Sequence, residues 1–375
     1  MNSEYQEFLK SDYWKQCRNL VLERDEYRCL QCGATNQLEV HHRAYEHHGN
    51  ELNHLEDLIT LCEGCHQRVH NGQSTSLPES ELKPINQCLL SFFCDKDEGL
   101  KHTISTGFSG FDAVGGGLFK GQLTIIAGRP SIGKTWLACY LANHVATVLE
   151  KPIAFFSAEI STNLLLARFI SIHSQVPNNR ILRGRMSDKE WKAVSTAIEN
   201  LADIPILLDC ASAHRLTQSH IRSEVQKLQE KFGEIGLVVI DFIQMLGNRT
   251  ASNRSKEIGN LVLSYKAIAS QFNVPVICLS QIGRGADKRT NKRPILSDFE
   301  DNDEIAQHAD VVMFLYRDEW YQPDTQDRNI AEIIVAKNRN GLLGTWRILF
   351  DLSCGRINYD SPSSLSREEA EELDF

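Results

Sequence analysis

No apolar run in the 375-residue chain approaches the ~20 residues of a membrane-spanning helix, so no transmembrane segment is expected. The opening stretch MNSEYQEFLKSDYWK lacks the apolar core of a signal peptide, which argues against secretion. An excess of basic charge is also missing: 40 Lys and Arg stand against 49 Asp and Glu, a formal net charge of −9. A field of that sign repels polyanions, so any contact with nucleic acid has to come from local basic loops. Cysteines number eleven, an odd count, and four of them stand in metal-ligand spacing. That usage fits a reducing, cytoplasmic setting better than a disulfide framework. No internal repeat is visible. What remains is ordinary for a globular protein, 42% hydrophobic and 24% charged, and long enough for two domains.

The residues present between Cys29 and His70 are anything but ordinary. Cys29-x-x-Cys32 is followed by His41-His42, then by Cys62-x-x-Cys65-His66 and His70. The two CxxC pairs supply four thiolates, the complete ligand set of a closed tetrahedral zinc site. His66 and His70 stand four apart, which puts both imidazoles on one face of a helix. One zinc takes four ligands, so the surplus histidines point to a second, catalytic divalent metal. The pattern around them reads as a helix over 14–28, a strand over 37–42, and a strand running into a helix over 58–69. Residues 71–78 (NGQSTSLP) read as a linker. Beyond it Leu82, Ile85, Leu89, Leu90 and Phe93 mark an amphipathic helix, which serves either as core of the next domain or as a dock onto a neighbouring subunit.

From Thr106 onward, apolar runs alternate with helical stretches: LTIIA, PIAFFSA, IPILLD, GLVVIDF, VPVICLS, VVMFLY, AEIIVA and WRILF. Runs apolar on both faces and separated by helices predict an α/β domain with a parallel sheet covered on both sides. Gly128, Arg129, Pro130, Ser131, Ile132, Gly133, Lys134 and Thr135 spell the GxxxxGK[ST] phosphate loop between a strand and a helix, the context that this motif requires. Its backbone N–H groups and the helix dipole can cradle the phosphates of ATP, Lys134 would neutralise the terminal phosphates, and Thr135 would coordinate Mg²⁺. Asp241 ends the strand LVVI, where a carboxylate stands behind Mg²⁺. Glu159 follows IAFFSA, where a carboxylate can polarise the attacking water. Acidic residues also end strands with no such role, and alone neither would carry the reading. The expected plan is a zinc domain over 1–75, a linker with its helix over 76–100, an ATPase domain over 101–360, and an acidic, disordered tail over 361–375.

The ordered runs TGFSGFDAVGGGL (106–118), GRPSIGKT, FFSAEIS (155–161), LVVIDFIQ (237–244), VPVICLSQ (274–281), ADVVMFLYRDE (309–319) and AKNRNG (336–341) resemble DnaB-family hexameric helicases. The resemblance covers about Thr106 to Asp360. It implies a RecA-like fold, a ring of subunits with hexamer as the expected size, ATP sites between subunits, and DNA, single-stranded and duplex, as partner. Glu159 matches the family's catalytic carboxylate and Asp241 its Mg²⁺-associated aspartate. Gln281 matches the polar sensor that links the γ-phosphate to DNA-binding loops. Lys337 and Arg339 match groups that reach into the neighbour's site. The basic residues Arg249, Arg254, Arg284, Lys288, Arg289, Lys292 and Arg293 fall where strand contacts are expected. One loop departs from the pattern. Its arginine and glycine are replaced by Glu300 and Asp303, and so acidic a loop would repel a phosphate backbone.

The segment from Trp14 to His70 resembles HNH endonucleases with a zinc-stapled ββα-metal fold, over about Tyr13 to Gly72. The resemblance assigns Cys29, Cys32, Cys62 and Cys65 to structural Zn²⁺. It assigns His41, His66 and His70 to a catalytic metal, and makes His42 the general base that takes a proton from the attacking water. Asp57 stands where the motif's middle letter is asparagine and would orient the base. The chain is thus expected to join an HNH nuclease to a DnaB-like ring ATPase. A different class stays open: a ring helicase whose zinc module only binds or loads DNA.

Overall fold

The structure, a computed structural model, describes residues 8, 11–25, 27–31, 33–42, 50–70, 102–212, 215–245, 254–299 and 303–358. The expected linker helix and acidic tail lie outside them, as do Cys32, Arg249 and Glu300, and the side chains of His70, Arg254 and Asp303. Contacts divide the chain into two compact units, Met1–Asp97 and Glu98–Phe375. No helix among the described residues is long and apolar enough to cross a membrane.

In the first unit, helix α1 (Asp12–Arg24) starts where the Ser11 side chain accepts from Trp14 N, with Asp12 and Arg24 placed to suit the helix dipole. Its buried residues Trp14, Cys17, Val21 and Leu22 recur at helical spacing. Strands β1 (Leu38–His42) and β2 (Leu58–Cys62) form an antiparallel hairpin that pairs His41 with Ile59 and His42 with Leu58. Helix α2 (Glu63–His70) leaves β2 directly. Arg24 holds Asp25 through two contacts of 2.7 and 3.0 Å, and Asp25 Oδ2 accepts from Thr60 N, which ties α1 to the hairpin. Arg24 and the Thr60 groups hold the Asp25 carboxyl below its ordinary value, although burial pushes the other way.

The second unit begins with a two-residue ladder between β3 (Thr103–Ile104) and β4 (Leu118–Phe119), with helix α3 (Ser109–Gly115) between them. Then come β5 (Leu123–Gly128), α4 (Lys134–Thr147), β6 (Ile153–Ser157), α5 (Thr162–Ser174), α6 (Asn178–Arg183), α7 (Asp188–Ala202), β7 (Ile206–Asp209), α8 (Gln218–Phe232), β8 (Leu237–Asp241), α9 (Arg254–Phe272), β9 (Val276–Gln281), α10 (Asp303–His308), β10 (Val311–Tyr316), β11 (Ile330–Asn338), β12 (Gly344–Asp351) and β13 (Arg356–Asn358). The nine-stranded sheet runs β13-β12-β11-β10-β5-β9-β8-β6-β7. Strands β10, β5, β9, β8, β6 and β7 are parallel, with an apolar cluster on each face. Strands β11 to β13 extend the expected parallel sheet with antiparallel pairs. Only five residues join β11 to β12, fewer than the dozen or so of a parallel crossover. Burial in β12 alternates as one exposed face requires.

Candidate functional site

The phosphate loop leaves β5 at the carboxyl edge of the parallel strands. Gly128 passes so close to β10 that a Cβ there would lie 2.9 Å from Leu315 O, and Gly133 adopts φ +114 against Phe350 and Leu352. Both glycines are therefore required by backbone geometry. Lys134 opens α4 and is buried, with Nζ donating to Gly128 O at 3.0 Å and to Arg129 O at 2.9 Å. Thr135 Oγ1 donates to Asp241 Oδ2 at 3.0 Å. Strand pairing sets Ser157 beside Asp241, and Glu159 stands exposed two residues farther on. Four sequence-selected residues, Lys134, Thr135, Glu159 and Asp241, thus meet in one place.

Burial, and after it the charge of Glu159, pushes the Asp241 carboxyl up to about 6, against the pull of Thr135, Arg168 and Lys134. A carboxyl raised by folding favours the fold only while protonated, so its contribution falls as pH rises from about 4 to about 6. A divalent cation opposes that proton. Mg²⁺-dependent nucleotide binding is therefore expected to weaken as pH falls through about 6. Calorimetric titration with an ATP analogue at fixed Mg²⁺ checks this, and an unchanged affinity at about pH 5 would refute it.

Gln281 ends β9 opposite Gly128. Its backbone is held by Gln244, whose side chain donates to Gln281 O at 2.9 Å and to Ser280 Oγ at 2.8 Å and accepts from Gln281 N at 3.2 Å. Gln244 was visible in the run LVVIDFIQ, yet only this cross-strand clasp gives it a role. Lys337 and Arg339 lie at the other end of the sheet. Val312 pairs with both Lys337 and Ile125, and Arg339 N donates to Asp310 O just before β10. Lys337 Nζ donates to Ala306 O and Gln307 O at the end of α10, while Arg339, half exposed, stands 3.4 Å from Asp310 Oδ1. Burial first, then Arg339, lowers the Lys337 ammonium below its ordinary value.

The expected strand-contact residues divide. Arg289 grips Asp298 at 2.6 and 2.8 Å, Arg293 grips Glu332 through two contacts of 2.6 Å, and Lys292 Nζ donates to Asp287 O at 2.6 Å. These three cations brace the protein itself. Arg284 and Lys288 are exposed. Arg254, expected in a loop, is the first residue of α9.

In the first unit the sulfur atoms of Cys29, Cys62 and Cys65 lie within 4.8 Å of one another. Sulfurs around a tetrahedral zinc with ~2.3 Å bonds stand ~3.8 Å apart, so the cluster fits Zn²⁺. A tight turn presents the first thiol, with Gly33 at φ +77 and Gly33 N donating to Cys29 O at 2.7 Å. His41 meets His66 edge-on at 5.0 Å, and Glu39 Oε2 stands 2.5 Å from His66 Nδ1. A carboxylate on Nδ1 orients such a ring for ligation through Nε2.

His42 departs from the expected constellation. Adjacent residues of a strand project to opposite faces. Its buried ring stacks on Trp14 of α1 at 4.9 Å, with Nε2 3.2 Å from Glu51 Oε1. The carboxylate seen against this nitrogen belongs to Glu51, where the sequence pointed to Asp57. Asp57 closes the 3₁₀ turn Leu55–Asp57, its N–H donating to His54 O at 3.0 Å. No spacing rule singles out an acid nine residues after a histidine, and Glu51 was missed for that reason.

A family model described as DnaB-like helicase C terminal domain matches residues 103–358, and one described as HNH endonuclease matches 29–72. A probable replicative DNA helicase of Trieres chinensis is 38% identical over 277 residues, 72% of this chain and 60% of that protein. The replicative DNA helicase DnaB of Geobacillus stearothermophilus is 36% identical over 286 residues, 76% of this chain and 62% of that protein. The chain therefore spans less than two thirds of these relatives' length. Among solved structures, one described as an ATPase domain is similar at 27% identity and a TM-score of 0.68, covering 74% of this chain and 99% of that one. A DnaB-like replicative helicase, described with its interactions with primase, is similar at 25% identity and a TM-score of 0.70, covering 79% and 71%. The large unit has the RecA-like architecture of such ATPase domains.

Proposed function

The chain belongs to the family of DnaB-like helicase C-terminal domains, and on that premise we propose that it is an ATP-dependent DNA-processing enzyme. Identical subunits form a ring, hydrolyse ATP at their boundaries and act on DNA, and each carries an HNH module that cleaves DNA with a divalent metal. Lys134 neutralises charge on the transferred phosphate and Glu159 polarises the attacking water. Thr135, with Asp241 behind it, would hold Mg²⁺, which would supply positive charge beside the phosphates.

One observation carries the motor half. The nucleotide residues sit at one edge of the sheet, and Lys337 and Arg339 sit at the other. About five residues of β5 separate Gly128 from the level of Arg339, about 17 Å at ~3.3 Å per residue, farther than an arginine side chain extends. Arg339 can serve a nucleotide only in a neighbouring subunit. Arg339→Ala is expected to bind nucleotide but not hydrolyse it, as is Lys134→Ala for a different reason. Mixed rings of the two variants regain turnover, because some boundaries then combine an intact Lys134 with an intact Arg339. Mixtures that stay inactive would overturn the shared site.

For the module, His41 beside His66 favours cleavage, whereas the Trp14 stack on His42 favours a passive DNA adaptor. Purified protein with plasmid and single-stranded DNA, across Mg²⁺, Mn²⁺ and Zn²⁺ and with or without ATP, separates them. Cleavage lost in both His41→Ala and His42→Ala establishes the nuclease. An absence of cleavage in every condition leaves the adaptor, and strand separation becomes its assay.

A further inference from the structure

The phosphate loop has a second cation besides Lys134, and its guanidinium reaches the segment that follows β9. Arg129 Nη1 donates to Ile282 O at 3.3 Å, and Nη2 stands 3.0 Å from Asp287 Oδ2. Main chain joins the same two segments, since Ile282 N donates to Gly128 O at 3.4 Å. Beyond that point the segment is braced to itself. Lys292 Nζ holds Asp287 O, Arg289 clasps both oxygens of Asp298, and Gly283 N donates to Asp298 O at 3.1 Å. The segment is also tied to β11 through the Arg293–Glu332 fork, so Arg129 is its side-chain link to the phosphate loop beside that one main-chain bond. Asp287 lies in the 3₁₀ turn Ala286–Lys288, between the exposed cations Arg284 and Lys288.

The Arg129–Asp287 pair engages one edge only. Arg129 Nε is buried and has no hydrogen-bond partner among the described residues, while Asp287 also faces the Tyr321 hydroxyl. A guanidinium and a carboxylate in this arrangement have a two-contact fork close by. The orphaned Arg129 Nε favours reaching it. A small rotation of the guanidinium would therefore add a second contact to the pair.

We propose that Arg129 and Asp287 form a latch through which the phosphate loop, on taking nucleotide, repositions the cation-bearing segment 282–299. Asp287 is a positioning residue, acting through Arg129 and the segment and not on the phosphates. The latch rests on nucleotide binding at the phosphate loop as proposed above, and the readouts keep the two apart. Hydrogen exchange of the full chain is measured with and without Mg²⁺ and a slowly hydrolysed ATP analogue. In the wild type, peptides over 128–135 and over 282–299 both change protection. In Asp287→Asn the phosphate loop still responds, while the response of 282–299 falls at least about fivefold, as expected when a charge-assisted contact loses its charge. Asp287→Glu restores the response, which a merely structural role would not require. Basal ATP turnover of Asp287→Asn stays within about twofold of wild type, because Asp287 pairs with Arg129 and not with Lys134, Thr135 or Asp241. Asp287→Ser repeats the test should the amide find a substitute bond. A segment that responds equally in both variants, or one that is silent in wild type while 128–135 responds, overturns the latch. Silence at 128–135 in wild type sinks the nucleotide reading and the latch with it.

Discussion

Lys134→Ala lowers ATP turnover by about 10²–10³-fold, the loss that follows removal of one preorganised donor to developing charge. The expectation rests on where the ammonium sits. It is buried at the start of α4 and occupied with two carbonyls of its own loop, Gly128 O and Arg129 O. Burial pushes it down to about 8, although Glu159 and Asp241 pull it back up. Between about 8 and its ordinary 10.5 the unfolded chain holds this proton and the folded chain does not, so stability rises with pH across that window. Phosphate charge reverses the balance, because an anion beside the amine favours its protonated form. Nucleotide binding near pH 8 is accordingly expected to take up a proton. Titrations in two buffers of different ionisation enthalpy would then give different apparent enthalpies for wild type and equal ones for Lys134→Ala. Equal enthalpies for wild type would refute the coupling.

The same site shows how far the sequence could be read. Parallel strands buried on both faces appear as continuous apolar runs, and all eight runs, LTIIA through WRILF, are strands. Direction was less legible. AEIIVA and WRILF look like the other runs; the short connection between β11 and β12 makes that pair antiparallel, whereas the longer stretch from β10 to the equally antiparallel β11 carries no such mark. The phosphate loop announced itself because its glycines answer to local geometry, at φ +114 and against Leu315 O. Basic residues were far less informative. Arg289 and Arg293 read like any surface cations, but each has a half-buried fork with a carboxylate 9 and 39 residues away, a pairing that no local pattern records. Glu51 against His42 is hidden for the same reason. Local chemistry is written in spacing, whereas long-range pairing is settled by packing.

Removing zinc is expected to unfold the first unit and leave the second standing. Its two apolar clusters hold four buried residues each, and Cys29 and Cys65 are themselves half of one of them. A structural zinc contributes about 10–16 kcal/mol to such a module, comparable with or larger than the ~5–15 kcal/mol net stability of a whole domain. Chelation, or Cys65→Ser, should therefore abolish exchange protection over 29–70 while ATP turnover by the RecA-like unit continues. Cys17→Ser is the control, because Cys17 is buried against Trp14 and Val21, away from the sulfur cluster. It should keep its zinc. Protection that survives chelation would mean that the hairpin and α1 suffice without metal. Zinc content by native mass spectrometry then decides the ligand set. If Cys32→Ser loses the metal as Cys65→Ser does, four thiolates hold it and the histidines remain available to a second ion. If Cys32→Ser retains it, a histidine completes the tetrahedron. The module then has one metal instead of two, and the case for cleavage fails along with the second centre.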